Sequence, residues 1–318
     1  MYVLLIRIPR KGNIMVTNKS IFRMLSIFLI VTMTVSAVGV TPARAAGTLY
    51  AAPSAAGTGD CSGWANACTL QTALTNAVFS DEIWVMAGTH KPTAGNNRIV
   101  TFQLQDGVAV YGGFAGSETA RSERNPAVNT TILSGDLSGD DSSIIQFSEP
   151  TRSDNSYHVV TGATGGTLDG FTITGGNAYD GSGCPLDCGG GMFNSFSSPT
   201  LASITFTNNT AAENGGGLYN ETSDPALSSS TFTGNSAGSY GGGLYNTESN
   251  PTLTDITFTN NSAGAYGGGM FDTLSNPILA NITFTGNSAL INGGGLYNEI
   301  SSPSLTDVTF SGNSADQG

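Results

Sequence analysis

The chain has 318 residues, with 11 Lys and Arg against 23 Asp and Glu, 43 glycines and only 11% charged side chains. That balance excludes a nucleic-acid binder, which needs a basic face. It also disfavours polyanionic glycans unless a cation such as Ca²⁺ bridges the two.

Residues 1–45 read as a signal peptide. Lys19 and Arg23 form a basic flank, Met24 to Val40 is an apolar run, and Ala43-Arg44-Ala45 is a small-x-small cleavage site, with Met15 as an alternative start. A retained anchor is the other reading, although the 17-residue run is short for a span. The segment carries six of the basic residues and no acid, so the mature chain keeps five against 23 acids, a net of −18 and no transmembrane segment. Export, few charges and abundant Gly, Thr, Ser and Asn describe an extracellular or cell-surface β protein.

Residues 46–165 are expected to form a cap and irregular coils. In an exported chain the close pairs Cys61 with Cys68 and Cys184 with Cys188 read as local disulfides. A metal site is the alternative, and neither pair has a His nearby. Leu70, Leu74, Ala77 and Val78 have helical spacing and predict a capping helix over the first coil, which otherwise offers free strand edges. Short strands ended by Gly or Asp are predicted within Ile83–Gly88, Val108–Phe114 and Thr131–Asp136, with insertions over 89–100 and 115–129.

Residues 166–318 are a regular array. Leu168 to Ala178 reads as a less regular coil, and Gly triplets then begin at Gly189, Gly215, Gly241, Gly267 and Gly293, each 26 residues after the last. Such a fixed period means stacked coils, because each residue must sit above its equivalent. The unit from Gly241 reads as three-stranded, with corners at 247–251 and 260–266, and the two-residue period of Ile256 and Phe258 is that of a strand. Gly, Pro and Thr exclude a helical solenoid, and the spacing of a leucine-rich repeat is absent. The fold class is therefore all-β, a right-handed parallel β-helix of three-strand coils with an amino-terminal capping helix. Ser230 replaces the Ile or Val of other coils, so that coil is expected to be looser.

The paired motifs Gly-Gly-Gly-[Leu/Met]-[Tyr/Phe]-[Asn/Asp] and Phe-[Thr/Ser]-[Asn/Gly]-Asn, over about 165–318, resemble the Gly-Gly-Ala-Ile and Phe-x-x-Asn repeats of chlamydial polymorphic outer membrane proteins. More broadly the chain resembles pectate-lyase-like right-handed β-helix proteins of bacterial surfaces. Ile83-Trp84-Val85 and Val110-Tyr111-Gly112-Gly113-Phe114 resemble the leading part of such proteins. Gly in place of Ala in the triplet is a departure, and with no translocator barrel the resemblance does not imply outer-membrane insertion.

Function is read from columns at the 26-residue step. Asn209, Asn235, Asn261, Asn287 and Asn313 form a structural ladder of amides, with Asn also suited to left-handed corners. Phe193, Tyr219, Tyr245, Phe271 and Tyr297 form an aromatic column that stacks on sugars or docks a protein if exposed; partial burial under a corner is the alternative. Thr-x-Thr pairs from Thr205 to Ser311 resemble the ladders of ice-binding solenoids.

Catalysis has few agents. No Lys or Arg lies between Ser153 and Gly318, which leaves His90, His158, Lys91, Arg98, Arg121, Arg124 and Arg152 for a lyase. Asp255 and Asp307 share a register about 9.6 Å apart over two coils, marginal for a hydrolase and more simply an outward polar column. Asp272 replaces Asn in the column Asn194, Asn220, Asn246, Asn298 and reads as part of a polar ladder. No catalytic or metal residue is assigned, and no cofactor is expected apart from Ca²⁺. The reading is non-catalytic adhesion or recognition of a carbohydrate or cell surface. A polysaccharide lyase or glycoside hydrolase with its site in the insertions is the first alternative, and ice binding the second.

The next triplet falls at 319, one residue past Gly318. The chain is therefore expected to be a piece of a longer protein, with an uncapped last coil that self-associates edge to edge or frays after Asn292.

Overall fold

The computed structural model describes residues 46–317, so the signal segment read over 1–45 lies outside them. No described helix is long and apolar enough to cross a membrane.

The strands pair in parallel and wind as a β-helix, right-handed as parallel crossovers of right-twisted strands are. Each regular coil gives one strand to each of three sheets. One sheet takes Met192–Ser195, Leu218–Glu221, Leu244–Thr247, Met270–Thr273 and Leu296–Glu299. A second takes eight-residue strands such as Ala226–Thr233 and Thr252–Thr259. The third takes two-residue strands, Ser236–Ala237, Ser262–Ala263 and Ser288–Ala289, lying inside what the sequence shows only as a corner.

Inward residues meet their own kind one coil on. Phe206, Phe232, Phe258 and Phe284 stack in the core at 4.7 Å between ring centres. Leu201, Leu227, Leu253 and Leu279 form a parallel buried column. The Gly triplet is steric: a Cβ on Gly191 would lie 2.4 Å from the Gly217 carbonyl oxygen, and one on Gly190 2.1 Å from that of Thr210. This is why Ala does not take the third place. The first Gly has positive φ, 65° at Gly215, where a side chain is strained.

Three polar columns are buried beside the apolar ones. The amide of Asn235 donates to Asn261 Oδ1 at 2.9 Å and to the Phe232-column carbonyl of Phe206 at 2.9 Å, and Asn261 and Asn287 repeat the pattern. Each ladder oxygen also accepts the backbone N–H of the preceding coil's Asn. The left-handed corner lies one residue earlier than the ladder, at Asn208, Gly234, Asn260, Gly286 and Gly312. A second ladder runs Asn194 to Asn220 to Asn246 to Asp272. In a third, Ser223, Ser249 and Ser275 hydroxyls accept the N–H of the preceding coil's Ser.

Ser230 does not loosen its coil. It is buried, accepts the Ile204 N–H at 3.0 Å and donates to the Ser228 carbonyl at 2.7 Å, so hydrogen bonds replace the missing hydrocarbon and the strand Ala226–Thr233 is unbroken.

The first strand, Thr48–Ala51, is covered by the helix Leu70–Asn76, whose amino terminus is capped by the Thr69 hydroxyl on Thr72 N–H. Leu70, Ala73 and Leu74 face the core, whereas Val78 is 42% exposed because the helix ends before it. Both disulfides form, Cys61–Cys68 and Cys184–Cys188. At the far end, Leu305 and Phe310 are about half exposed on the last described coil.

Replacing Asn261 by Ala strips partners from two donors on Asn235 and from the Phe232 carbonyl, and should cost about 3 kcal/mol. Asn313→Ala, at the part-buried edge, should cost clearly less. Chemical denaturation of both variants checks the ordering.

Candidate functional site

Every basic side chain among the described residues is engaged in holding the fold. Lys91 Nζ donates to the Leu137 carbonyl, and Arg98 donates to the carbonyls of Asn155, Tyr179 and Asn177 while lying 4.1 Å over the Tyr157 ring. Arg121 pairs with Glu82, Arg124 with Asp169, and buried Arg152 with Asp141. Arg152 also donates to the carbonyls of Gly176 and Asn208, which ties the segment 137–156, an insertion with no sequence signal, to the coils. The histidines are inside: His90 Nε2 meets the Met86 carbonyl, and His158 Nδ1 meets that of Gly189. Burial pushes His158 down to about 4, so it is neutral at physiological pH.

The carboxylates divide by environment. Asp255 and Asp307 are exposed and in the left-handed conformation, φ 57° and 52°, within a corner column that also holds Ser203, Ser229 and Asn281. Asn281 sits between them and donates to Asp255, so no open gap for a sugar separates the pair. Short polar side chains stand here because they tolerate that backbone. Oxygens of Asp136, Asp140 and Asp154 lie within 4.8 Å of one another and could hold a hard cation such as Ca²⁺. The sulfurs of Cys184 and Cys188, near Glu213, are consumed in their disulfide.

The aromatic column is continuous. Phe193, Tyr219, Tyr245, Phe271 and Tyr297 stack at 5.1 to 5.5 Å, and His158 begins the pile against Phe193. Tyr240 and Tyr266 lean over it from the corner. Tyr219 and Phe271 are buried and the others half-buried. The rings spend their faces on one another, leaving edges and hydroxyls outward. Burial raises the Tyr219 phenol, and pushes Tyr245 up to about 12. The Thr-x-Thr columns stand in register on the second sheet, half-buried except at Thr309 and Ser311 on the last described coil, with Thr231 donating to Thr205.

Two grooves remain. One, of about 580 Å³, runs along the third sheet over a floor of Ala237, Ala263, Ala289 and their neighbouring serines, with Phe147 as a wall. A second, of about 410 Å³, shares Phe147 and continues past Arg98, Tyr157 and Tyr179. Sequence reading missed both, because their wall comes from 137–156. It also missed the serine ladder, although Ser-x-Pro at each 26-residue step carries that signal.

The profile of the Chlamydia polymorphic membrane protein (Chlamydia_PMP) repeat matches residues 203–221, 229–247 and 281–299. Each segment runs from a Phe-x-x-Asn corner through the next Gly triplet. The chain is a parallel β-helix repeat protein. No curated protein matches it. The crystal structure of pectate lyase Pel9A is similar at 11% identity and a TM-score of 0.43, covering 83% of this chain and 78% of that one. At that level neither activity nor site transfers.

Asp272 continues the Asn ladder without a donor to pass on. It is buried, accepts from Asn246 at 2.7 Å, and its Oδ2 has no partner, while desolvation pushes it up from 3.8 to about 7. The folded chain therefore holds a proton that the unfolded chain has released between those values, so stability falls as pH rises through that window. Asp272→Asn should abolish this slope and stabilise the protein at pH 8 by on the order of 2–4 kcal/mol, with little gain at pH 4. Denaturation midpoints of both proteins at the two pH values check it.

Proposed function

We propose that this β-helix is an exported or surface-displayed recognition protein that binds neutral glycans without transforming them. The observation that carries the reading is the groove along the third sheet. Its floor repeats the same small side chains coil after coil, with a rise of about 4.8 Å, comparable to one residue of an extended polysaccharide. An extended polymer can therefore meet equivalent contacts along the axis, while Phe147 and Tyr179 offer ring surface at one end.

Two further features support binding over chemistry. Proton abstraction next to a uronate needs a free base, and the described Lys, Arg and His groups are all held by carbonyls or carboxylates. The net charge, −12 for the whole chain and −18 without residues 1–45, favours a neutral ligand. Disulfides fit an oxidising compartment, and the matched repeat is named for a membrane protein of Chlamydia. A cation held by Asp136, Asp140 and Asp154 would steady the groove wall.

The mature protein should be retained on at least one neutral polysaccharide, with weaker retention on polygalacturonate and no new reducing or unsaturated ends released. Product release would assign the lyase or hydrolase alternative. Thermal hysteresis in the same preparation would assign the threonine ladder to ice.

A further inference from the structure

The geometry points to a second sugar-binding site, distinct from the axial groove, at Phe79 and Phe196, which takes a neutral pyranose; the inference rests on the glycan reading above. Both rings are 75% exposed, and they line one depression of about 480 Å³. They come from unrelated parts of the chain, Phe79 just after the capping helix and Phe196 at the first regular corner. Single exposed apolar side chains are ordinary, but two exposed rings in one depression form a patch suited to contact.

Neither ring is where folding requires it. Phe196 is left-handed, φ 51°, a costly backbone for a bulky side chain. The equivalent corners carry Thr222, Glu248, Leu274 and Ile300, so the solenoid accepts almost any residue there. Phe occurs at the one corner that shares a depression with Phe79. Phe79 in turn lies across Gly107, where a Cβ would come within 2.3 Å of the ring. Glycine at that point, itself left-handed with φ 65°, leaves room for the ring to lie against the backbone with its other side open.

Between the rings the surface is polar and acidic. Asp106 and Thr164 are exposed there, tied to each other through the Thr164 N–H on Asp106 Oδ1 at 3.0 Å, and Gln105 is half-buried beside them. No basic side chain lines the depression. Phosphates and uronates are thereby disfavoured. A ligand with an apolar C–H face and a rim of hydroxyls matches ring surface beside carboxylate and amide groups.

The test is calorimetric titration of the mature protein with neutral β-1,4-linked hexasaccharides of glucose and of N-acetylglucosamine. Phe79→Ala and Phe196→Gly are compared with Phe147→Ala, which alters the axial groove and the groove that adjoins it but not this depression. Each of the first two variants should weaken binding by about tenfold. Phe196→Gly should keep or raise the melting temperature, because glycine adopts positive φ without strain, so lost affinity cannot be lost folding. Wild-type affinity retained in the Phe79→Ala/Phe196→Gly double variant overturns this site and leaves the glycan reading standing. Absence of binding by the wild type to both sugars overturns both. Self-association abolished by Phe79→Ala would assign the patch to a protein contact, and also overturns it.

Discussion

The structure depends on a single constraint: each side chain meets its own counterpart one coil away. Apolar residues satisfy this by packing, as the core phenylalanines do at 4.7 Å. A buried polar residue satisfies it only if it both donates and accepts along the axis. Asparagine does so, and so does serine when its hydroxyl turns back to its own strand's carbonyl, as Ser249 does to Thr247. Asp272 cannot do so when ionised, which is why burial holds its proton.

The same constraint fixes the corners. Each regular coil turns through four left-handed residues, illustrated by Gly241, Glu248, Asp255 and Asn260. Glycine is obligatory only where a Cβ also collides with backbone, as at Gly241 with the Leu244 carbonyl oxygen 2.4 Å away. Where the corner opens to solvent the chain tolerates Leu274 and Ile300 at a modest strain cost. Residues free of a structural duty are therefore concentrated at those open corners and in the insertions.

Legibility followed the same division. The period, the parallel coil, the Asn ladder, the capping helix and the Cys pairs could be read because each is a local pattern repeated or capped in sequence. Three strands per coil were legible, but the place of the third was not, since two residues such as Ser262 and Ala263 carry no periodicity. The aromatic column was legible as a column, yet the sequence said nothing of Tyr240 leaning over it, a contact made across a corner. The grooves and the Phe79 and Phe196 depression were hidden because they join residues far apart in sequence through segments outside the repeat.

The scaffold that would carry the proposed binding owes its rigidity to axial ladders, and those ladders are the claim most open to direct test. Native-state hydrogen exchange should show the backbone amides of Asn209, Asn235 and Asn261, each donated to the next coil's Asn side chain, among the slowest and exchanging together in one cooperative opening. Fast exchange at these corners, or protection that differs coil by coil, would contradict it.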